Sequence, residues 1–397
     1  MRVLVVIFEQ LIPISGGGTP RISSIIDVLV KKGHNVSVAA TFAPNTSESL
    51  RILGCDKVVR LRHISRLDKN KMIKYLFFHP LNLFKVFREA IRFKPDLIIT
   101  HNSIPGLAAI LAKKVTKVPV VIDMTDLIFE YLSSYDKNIW SSQLQRIGSK
   151  MENYVLHQSD EIITISHTMK NLLINNGLHQ EKVDVVYDGV KTDIFRPNPE
   201  KAKLLREKYA KGFEKIVMHH GVIDPQDNPE IIVETAARVI KEHPSTMFWL
   251  IGDGAAIPSI KEDTKRRGLQ KNFFFSGWVP FKEVPSFISA SDIGLVILPD
   301  ISSARIRVTL KGFEYWACGK PVIASDLPAL REVVTPWQTG LFYKPADPVD
   351  LAQKISCLLN DKELSIKMGE AGKKLVEKKF DWYKLATQFV NICESMF

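Results

Sequence analysis

Cysteine is scarce in this 397-residue sequence. Cys55, Cys318, Cys357 and Cys393 lie far apart, with no Cys-x-x-Cys spacing. That excludes a disulfide framework or a cysteine zinc site, and the four read as reduced core thiols suited to the cytoplasm. Long apolar runs are missing as well. No stretch approaches the roughly 20 residues of a membrane-spanning helix. Val3–Phe8 is too short for the apolar part of a secretion signal and is followed at once by Glu9. Membrane contact is therefore expected to be peripheral at most. Gly-x-Gly-x-x-Gly is absent, which disfavours a dinucleotide site. No nucleic-acid motif accompanies the basic residues, so nucleic acid is not an expected partner. Asp123-Met124-Thr125-Asp126 has no metal-binding spacing, and neither a metal nor a resident cofactor is expected.

What is present describes an ordinary globular protein, with 45% hydrophobic and 24% charged residues. The length exceeds what one core usually supports, so two domains are expected. Strands alternate with helices throughout, which indicates an α/β protein with parallel, doubly wound sheets. The turn-rich stretch Asp188–Pro199 reads as a linker between a domain over 1–190 and a second over 198–378. A last amphipathic helix is expected over 381–397. Sheets of this kind bind ligands at their strand C-termini.

The net charge of +11 is concentrated. Between Arg51 and Pro95 twelve bases face three acids, leaving +9 in that segment. A solvated helical face is the plain reading. The bases interleave with Tyr75, Phe77, Phe78, Phe84 and Phe87, the composition of a helix lying on an anionic membrane surface. Both readings stay open.

Several loops have the chemistry of anion or polyol sites. Ser15-Gly16-Gly17-Gly18-Thr19-Pro20 follows the first strand and opens a helix, where glycines permit a nest of backbone N–H groups; a plain surface loop is the alternative. Gly252-Asp253-Gly254 and Gly277-Trp278-Val279 end two later strands. Arg305 and Arg307 precede a helix starting near Thr309, and Lys311 lies in its first turn. That helix N-terminus could hold a diphosphate through N–H groups and three cations. Alternatively, Lys311 pairs with Glu314 three residues on. Glu314 lies at the edge of the buried face and needs a donor partner, either a ribose diol or a nearby base. At other strand ends lie His101-Asn102 and Thr125-Asp126. His101 reads as a packed histidine, and Asp126 as either a general base or a helix N-cap.

The frame Glu314-Tyr315-Trp316-Ala317-Cys318-Gly319-Lys320-Pro321-Val322, with Ser325–Glu332 and Gln338–Leu341 after it, resembles the signature of the retaining glycosyltransferases of family four. The resemblance covers nearly the whole chain. It implies a GT-B fold: two facing Rossmann-like domains, a deep cleft between them, and a last helix that braces the first domain. It implies metal-independent transfer of a sugar from a nucleoside-diphosphate sugar to a hydroxyl, for example on a lipid-linked or surface-polysaccharide glycan. Gly252, Asp253, Gly254, Gly277, Trp278, Val279, Arg305, Arg307, Thr309, Lys311 and Glu314 would then bind the donor. Gly16, Gly17, Gly18, His101, Asn102, Thr125 and Asp126 would lie on the acceptor side, with Asp126, Lys311 and Glu314 as the catalytic set. The chain departs from the family at three places. Ile306 stands where the earlier Glu of Glu-x₇-Glu is usual, Val222 where an Arg is usual, and Asp227 near the place of a Lys. These departures keep two alternatives open, a non-catalytic GT-B binding subunit and a nucleotide-sugar epimerase.

Overall fold

The computed structural model describes residues 1–12, 17–42, 53–61, 71–127 and 139–397. Gly16, Arg51, Arg62, Arg66 and Lys69 lie outside them, as do the side chains of 71–79. The chain forms two units, Met1–Tyr187 with Tyr383–Phe397, and Asp188–Trp382.

The first unit is built on seven parallel strands: β1 (Arg2–Ile12), β2 (Asn35–Phe42), β3 (Lys57–Arg60), β4 (Leu97–His101), β5 (Val120–Met124), β6 (Glu161–Thr164) and β7 (Val183–Val185). Their order is β3-β2-β1-β4-β5-β6-β7. Helices α1 (Thr19–Lys31), α2 (Lys71–Phe93), α3 (Ser103–Thr116), α4 (Ile139–Gln158) and α5 (His167–Asn175) connect them. Val3–Ile7, β4 and β5 are fully buried. That is why they read as apolar runs rather than alternating strands.

The second unit has six parallel strands: β8 (Lys215–His220), β9 (Thr246–Ile251), β10 (Phe273–Phe275), β11 (Ile293–Val296), β12 (Val322–Ser325) and β13 (Gly340–Tyr343). Their order is β10-β9-β8-β11-β12-β13. Its helices are α6 (Pro199–Tyr209), α7 (Ile231–Glu242), α8 (Ile257–Arg266), α9 (Val284–Ala290), α10 (Ser302–Arg305), α11 (Leu310–Ala317), α12 (Pro328–Arg331), α13 (Pro348–Asn360) and α14 (Lys362–Leu375). The final helix, α15 (Trp382–Glu394), returns to the first unit. There Phe389, Val390 and Cys393 are buried, and Glu394 meets Lys32 and His34.

Helix α11 is pinned on three sides. The Tyr315 hydroxyl donates to the Met218 carbonyl at 2.8 Å, and its ring covers Gly294, where a Cβ would come within 2.3 Å. Trp316 Nε1 donates to the Thr339 carbonyl at 2.7 Å while its ring lies on Gly372 of α14. These contacts fix the helix that carries Lys311 and Glu314.

In each sheet the strand order reverses once, between β1 and β4 in the first and between β8 and β11 in the second. A doubly wound sheet opens a crevice outside the strand C-termini at that point. Cys55, Cys318 and Cys393 are buried free thiols and Cys357 is half-buried. Burial pushes Cys55 up to about 11 and Cys318 up to about 12, which makes them inert. Among the described residues no helix is long and apolar enough to cross a membrane.

Candidate active site

At the β8/β11 reversal, β8 runs out through His219 and His220 into Gly221. His219 Nδ1 is 3.2 Å from the Leu295 carbonyl of β11 and donates to it. Burial, with Lys311 and His220 nearby, holds the His219 pKa well below the ordinary histidine range. It is therefore neutral, and its buried Nε2 has no partner among the described residues. His220 Nε2 donates to Glu314 Oε2 at 2.7 Å, and its ring stands edge-on to Tyr315 at 4.8 Å. Glu314 is 8% exposed. Its Oε1 has no partner among the described residues and is not one of the enclosed unpaired atoms.

Lys311 lies alongside the Gly221 turn. A Cβ on Gly221 would sit 3.1 Å from Lys311 Cε and 3.7 Å from Nζ. The Lys311–Glu314 pair that the spacing offers is not formed, because Glu314 takes His220 instead. No ion pair engages Lys311 among the described residues, and it is half-buried. Helix α11 begins at Thr309, whose side chain makes no capping bond and whose Oγ1 is buried without a partner. The first-turn N–H groups are thus left to another acceptor.

Gly252 and Asp253 lie against the same turn. Gly252 takes φ +134°, and a Cβ there would overlap the Gly221 carbonyl oxygen at 2.0 Å. The Gly221 N–H donates to Ile251 O at 2.9 Å and the Ile223 N–H to Asp253 O at 3.0 Å, so the turns after β8 and β9 are laced together. The exposed Asp253 accepts from the Gly254 N–H through Oδ1 at 2.9 Å. Ser276 Oγ accepts from the Gly252 N–H at 3.1 Å and donates to Gly277 O at 2.7 Å. Next to it Trp278 is 71% exposed and Val279 half-buried. Arg307 Nη2 lies 3.3 Å from Asp227 Oδ1, both side chains largely buried. Arg305 is engaged in an exposed bidentate pair with Asp300.

At the β1/β4 reversal the first unit holds a buried charge network. Asp123 on β5 accepts from Arg21 Nε at 2.7 Å and from His101 Nδ1 at 2.8 Å, and all three side chains are 2% exposed or less. Arg21 Nη1 also donates to the carbonyls of Val186 and Tyr187 at 2.9 and 3.0 Å. Burial works against the His101 charge, but the Asp123 hydrogen bond and charge outweigh it and raise its pKa. Burial likewise disfavours ionised Asp123, yet Arg21 and His101 together lower its pKa. The ring of His101 lies on the backbone of Gly18, where a Cβ would come within 2.0 Å of Nε2. Gly17 takes φ +63° in the turn before α1, and Glu9 Oε2 lies 3.9 Å from where its Cβ would be. Asn102, at φ +65°, accepts through Oδ1 from the Thr125 N–H and hydroxyl and from the Asp126 N–H. It thereby ties the β4 and β5 ends together, with Asp126 half-buried at the rim.

Three residues of these sites escape a reading by motif: Arg21, Asp123 and His220. Two of them carried a signal. Asp123 is an acid on an otherwise apolar strand. Arg21 is a base in the first turn of a helix, where the dipole disfavours it.

Two family models divide the chain. One described as Glycosyltransferase Family 4 matches residues 15–194, and one described as Glycosyl transferases group 1 matches residues 201–375. An uncharacterized glycosyltransferase of Methanocaldococcus jannaschii is 28% identical over 342 residues, 86% of each chain. Anabaena HepE, solved with UDP-glucose, has a TM-score of 0.78 at 18% identity over the whole of both chains. Sucrose-phosphate synthase of Thermosynechococcus elongatus has a TM-score of 0.79 at 17% identity, over 100% of this chain and 99% of that one. Each half matches its own family model and each sheet is the Rossmann-like kind those structures share, so the chain belongs to glycosyltransferase family four and has the GT-B fold.

Proposed function

We propose that this glycosyltransferase moves a sugar, with retention, from a nucleoside-diphosphate sugar to a hydroxyl of a lipid-linked or surface-polysaccharide glycan. The observation that carries this is the Glu314 carboxylate, whose Oε1 has no partner among the described residues, on the same short helix as Lys311, which has no ion pair among them. A carboxylate accepts from both hydroxyls of a ribose, while first-turn N–H groups and an ammonium suit a diphosphate. Such donors stabilise charge that grows on the departing diphosphate. Asp126 and the Gly17–Gly18 turn serve the acceptor.

The test is donor-dependent release of UDP or GDP from the purified protein. Hydrogen bonds to a charged group contribute about 1.5–3 kcal/mol, so Glu314→Ala should raise the donor KM about ten- to a hundredfold. Absence of both nucleotide binding and release, with every donor tried, would favour the binding-subunit reading.

A lipid-linked acceptor is supported by helix α2. Leu81, Phe84 and Ile91 are exposed along one face beside the exposed Arg88 and Arg92. Apolar residues beside cations suit an anionic lipid surface. The protein should sediment with phosphatidylserine-containing vesicles, less so as salt rises, and less with Phe84→Ser/Arg88→Gln. Sedimentation indifferent to both changes rules this acceptor surface out.

A further inference from the structure

We infer that His220 is a positioning residue for nucleotide recognition: it holds one oxygen of Glu314 so that the other faces the ribose hydroxyls. This rests on Glu314 being the ribose ligand.

The hydrogen-bond geometry fixes the tautomer. An ionised carboxylate only accepts, so the proton shared at 2.7 Å belongs to His220 Nε2. Nδ1 is buried with no partner among the described residues. The other neutral tautomer would bury an unsatisfied N–H and set a lone pair against Oε2. The ring is held edge-on by Tyr315, whose hydroxyl is itself tied to Met218. His220 is thus anchored to β8 and α11 together, 94 residues apart in sequence. Glu314 and Tyr315 of α11 face it, and His219 precedes it on β8.

Residue type matters here. A guanidinium at this place would engage both carboxylate oxygens in a fork, and a ligand would have to share each of them. Imidazole offers one N–H and takes one oxygen. A free glutamate side chain has three torsions to order when ligand arrives. Holding it in advance removes that ordering cost from binding. The effect is confined to what touches the second oxygen, namely the ribose 2′- and 3′-hydroxyls. The diphosphate rests on Lys311 and the α11 N-terminus, which His220 does not touch.

The experiment compares UDP and GDP with their 2′-deoxy counterparts and with inorganic pyrophosphate by calorimetry, on wild type, His220→Phe, His220→Gln and Glu314→Ala. Phe keeps a ring against Tyr315 but has no donor; Gln supplies an amide N–H. Wild type should prefer the ribonucleotide about ten- to a hundredfold, the discrimination expected of one charge-assisted hydrogen bond. His220→Phe should shrink the preference to about threefold or less with pyrophosphate affinity unchanged, and His220→Gln should recover most of it. A merely structural histidine would weaken the ribonucleotides, the deoxynucleotides and pyrophosphate alike. If Glu314→Ala abolishes the preference and His220→Phe keeps it, the inference about His220 is overturned and the ribose site stands. If Glu314→Ala itself keeps the preference, or neither diphosphate binds, the ribose reading falls and takes the inference with it.

Discussion

Asp123→Ala should destabilise the first unit by about 3–5 kcal/mol, the cost of leaving a buried ion without its partner. Arg21, 1% exposed, loses the carboxylate that accepts from its Nε, and His101, 3% exposed, loses the one that accepts from its Nδ1. At about 2–4 °C per kcal/mol for a unit of this size, the midpoint of its unfolding should fall by about 6–20 °C. Intrinsic probes of the two units should separate, since Asp123 touches only the first. The pH dependence gives a second readout. The folded pKa of Asp123 lies below its unfolded value, so its contribution is present above about pH 4 and is lost as pH falls through the folded pKa. The folded pKa of His101 lies above its unfolded value, so that contribution is complete below about pH 6.5 and is lost as pH rises through the folded pKa. Stability from the network should therefore peak between about pH 4 and 6.5, with a fall on both sides. Asp123→Asn, which cannot ionise, should flatten both limbs of the melting-temperature profile. A profile for Asp123→Asn that keeps wild-type limbs would show that other groups set them.

The architecture was legible because its signals are local. β1, β4 and β5 are apolar runs, helices separate them, and the turn-rich segment from Asp188 coincides with the start of the second unit. Glu314 and Lys311 could be singled out by their places on one short helix. Their partners could not. His220 meets Glu314 across 94 residues and Arg21 meets Asp123 across 102, and both meetings depend on which strands lie side by side at the reversals. Spacing along a helix suggested Lys311–Glu314, but a neighbouring strand supplied a closer donor for the carboxylate. Arg305 shows the opposite case. Asp300 is five residues away, and their exposed pair occupies the Arg305 guanidinium.

Lys311→Ala should lower kcat/KM by about 10²- to 10³-fold, the usual cost of removing one preorganised donor from a site where charge develops. Lys311 is suited to this role because nothing else among the described residues uses it. Its ammonium lies along Gly221, no ion pair engages it among the described residues, and its neighbour His219 stays neutral and so does not compete for an anion. If Lys311 grips the diphosphate equally in substrate and transition state, only KM rises. If its grip tightens as the bond to the sugar breaks, kcat falls in step with kcat/KM, and this is the expected result. Folding should not suffer, because Lys311 has no ion pair to lose among the described residues and its side chain is half-buried. Pyrophosphate, which raises the unfolding temperature of any protein that binds it when folded, should do so for wild type and not for the variant. Arg305→Ala is the contrast: its exposed pair with Asp300 contributes about 0–1 kcal/mol, and the rate should change by no more than about threefold. Equal losses from the two substitutions would mean that the diphosphate is held by diffuse positive charge rather than by the ammonium at Gly221.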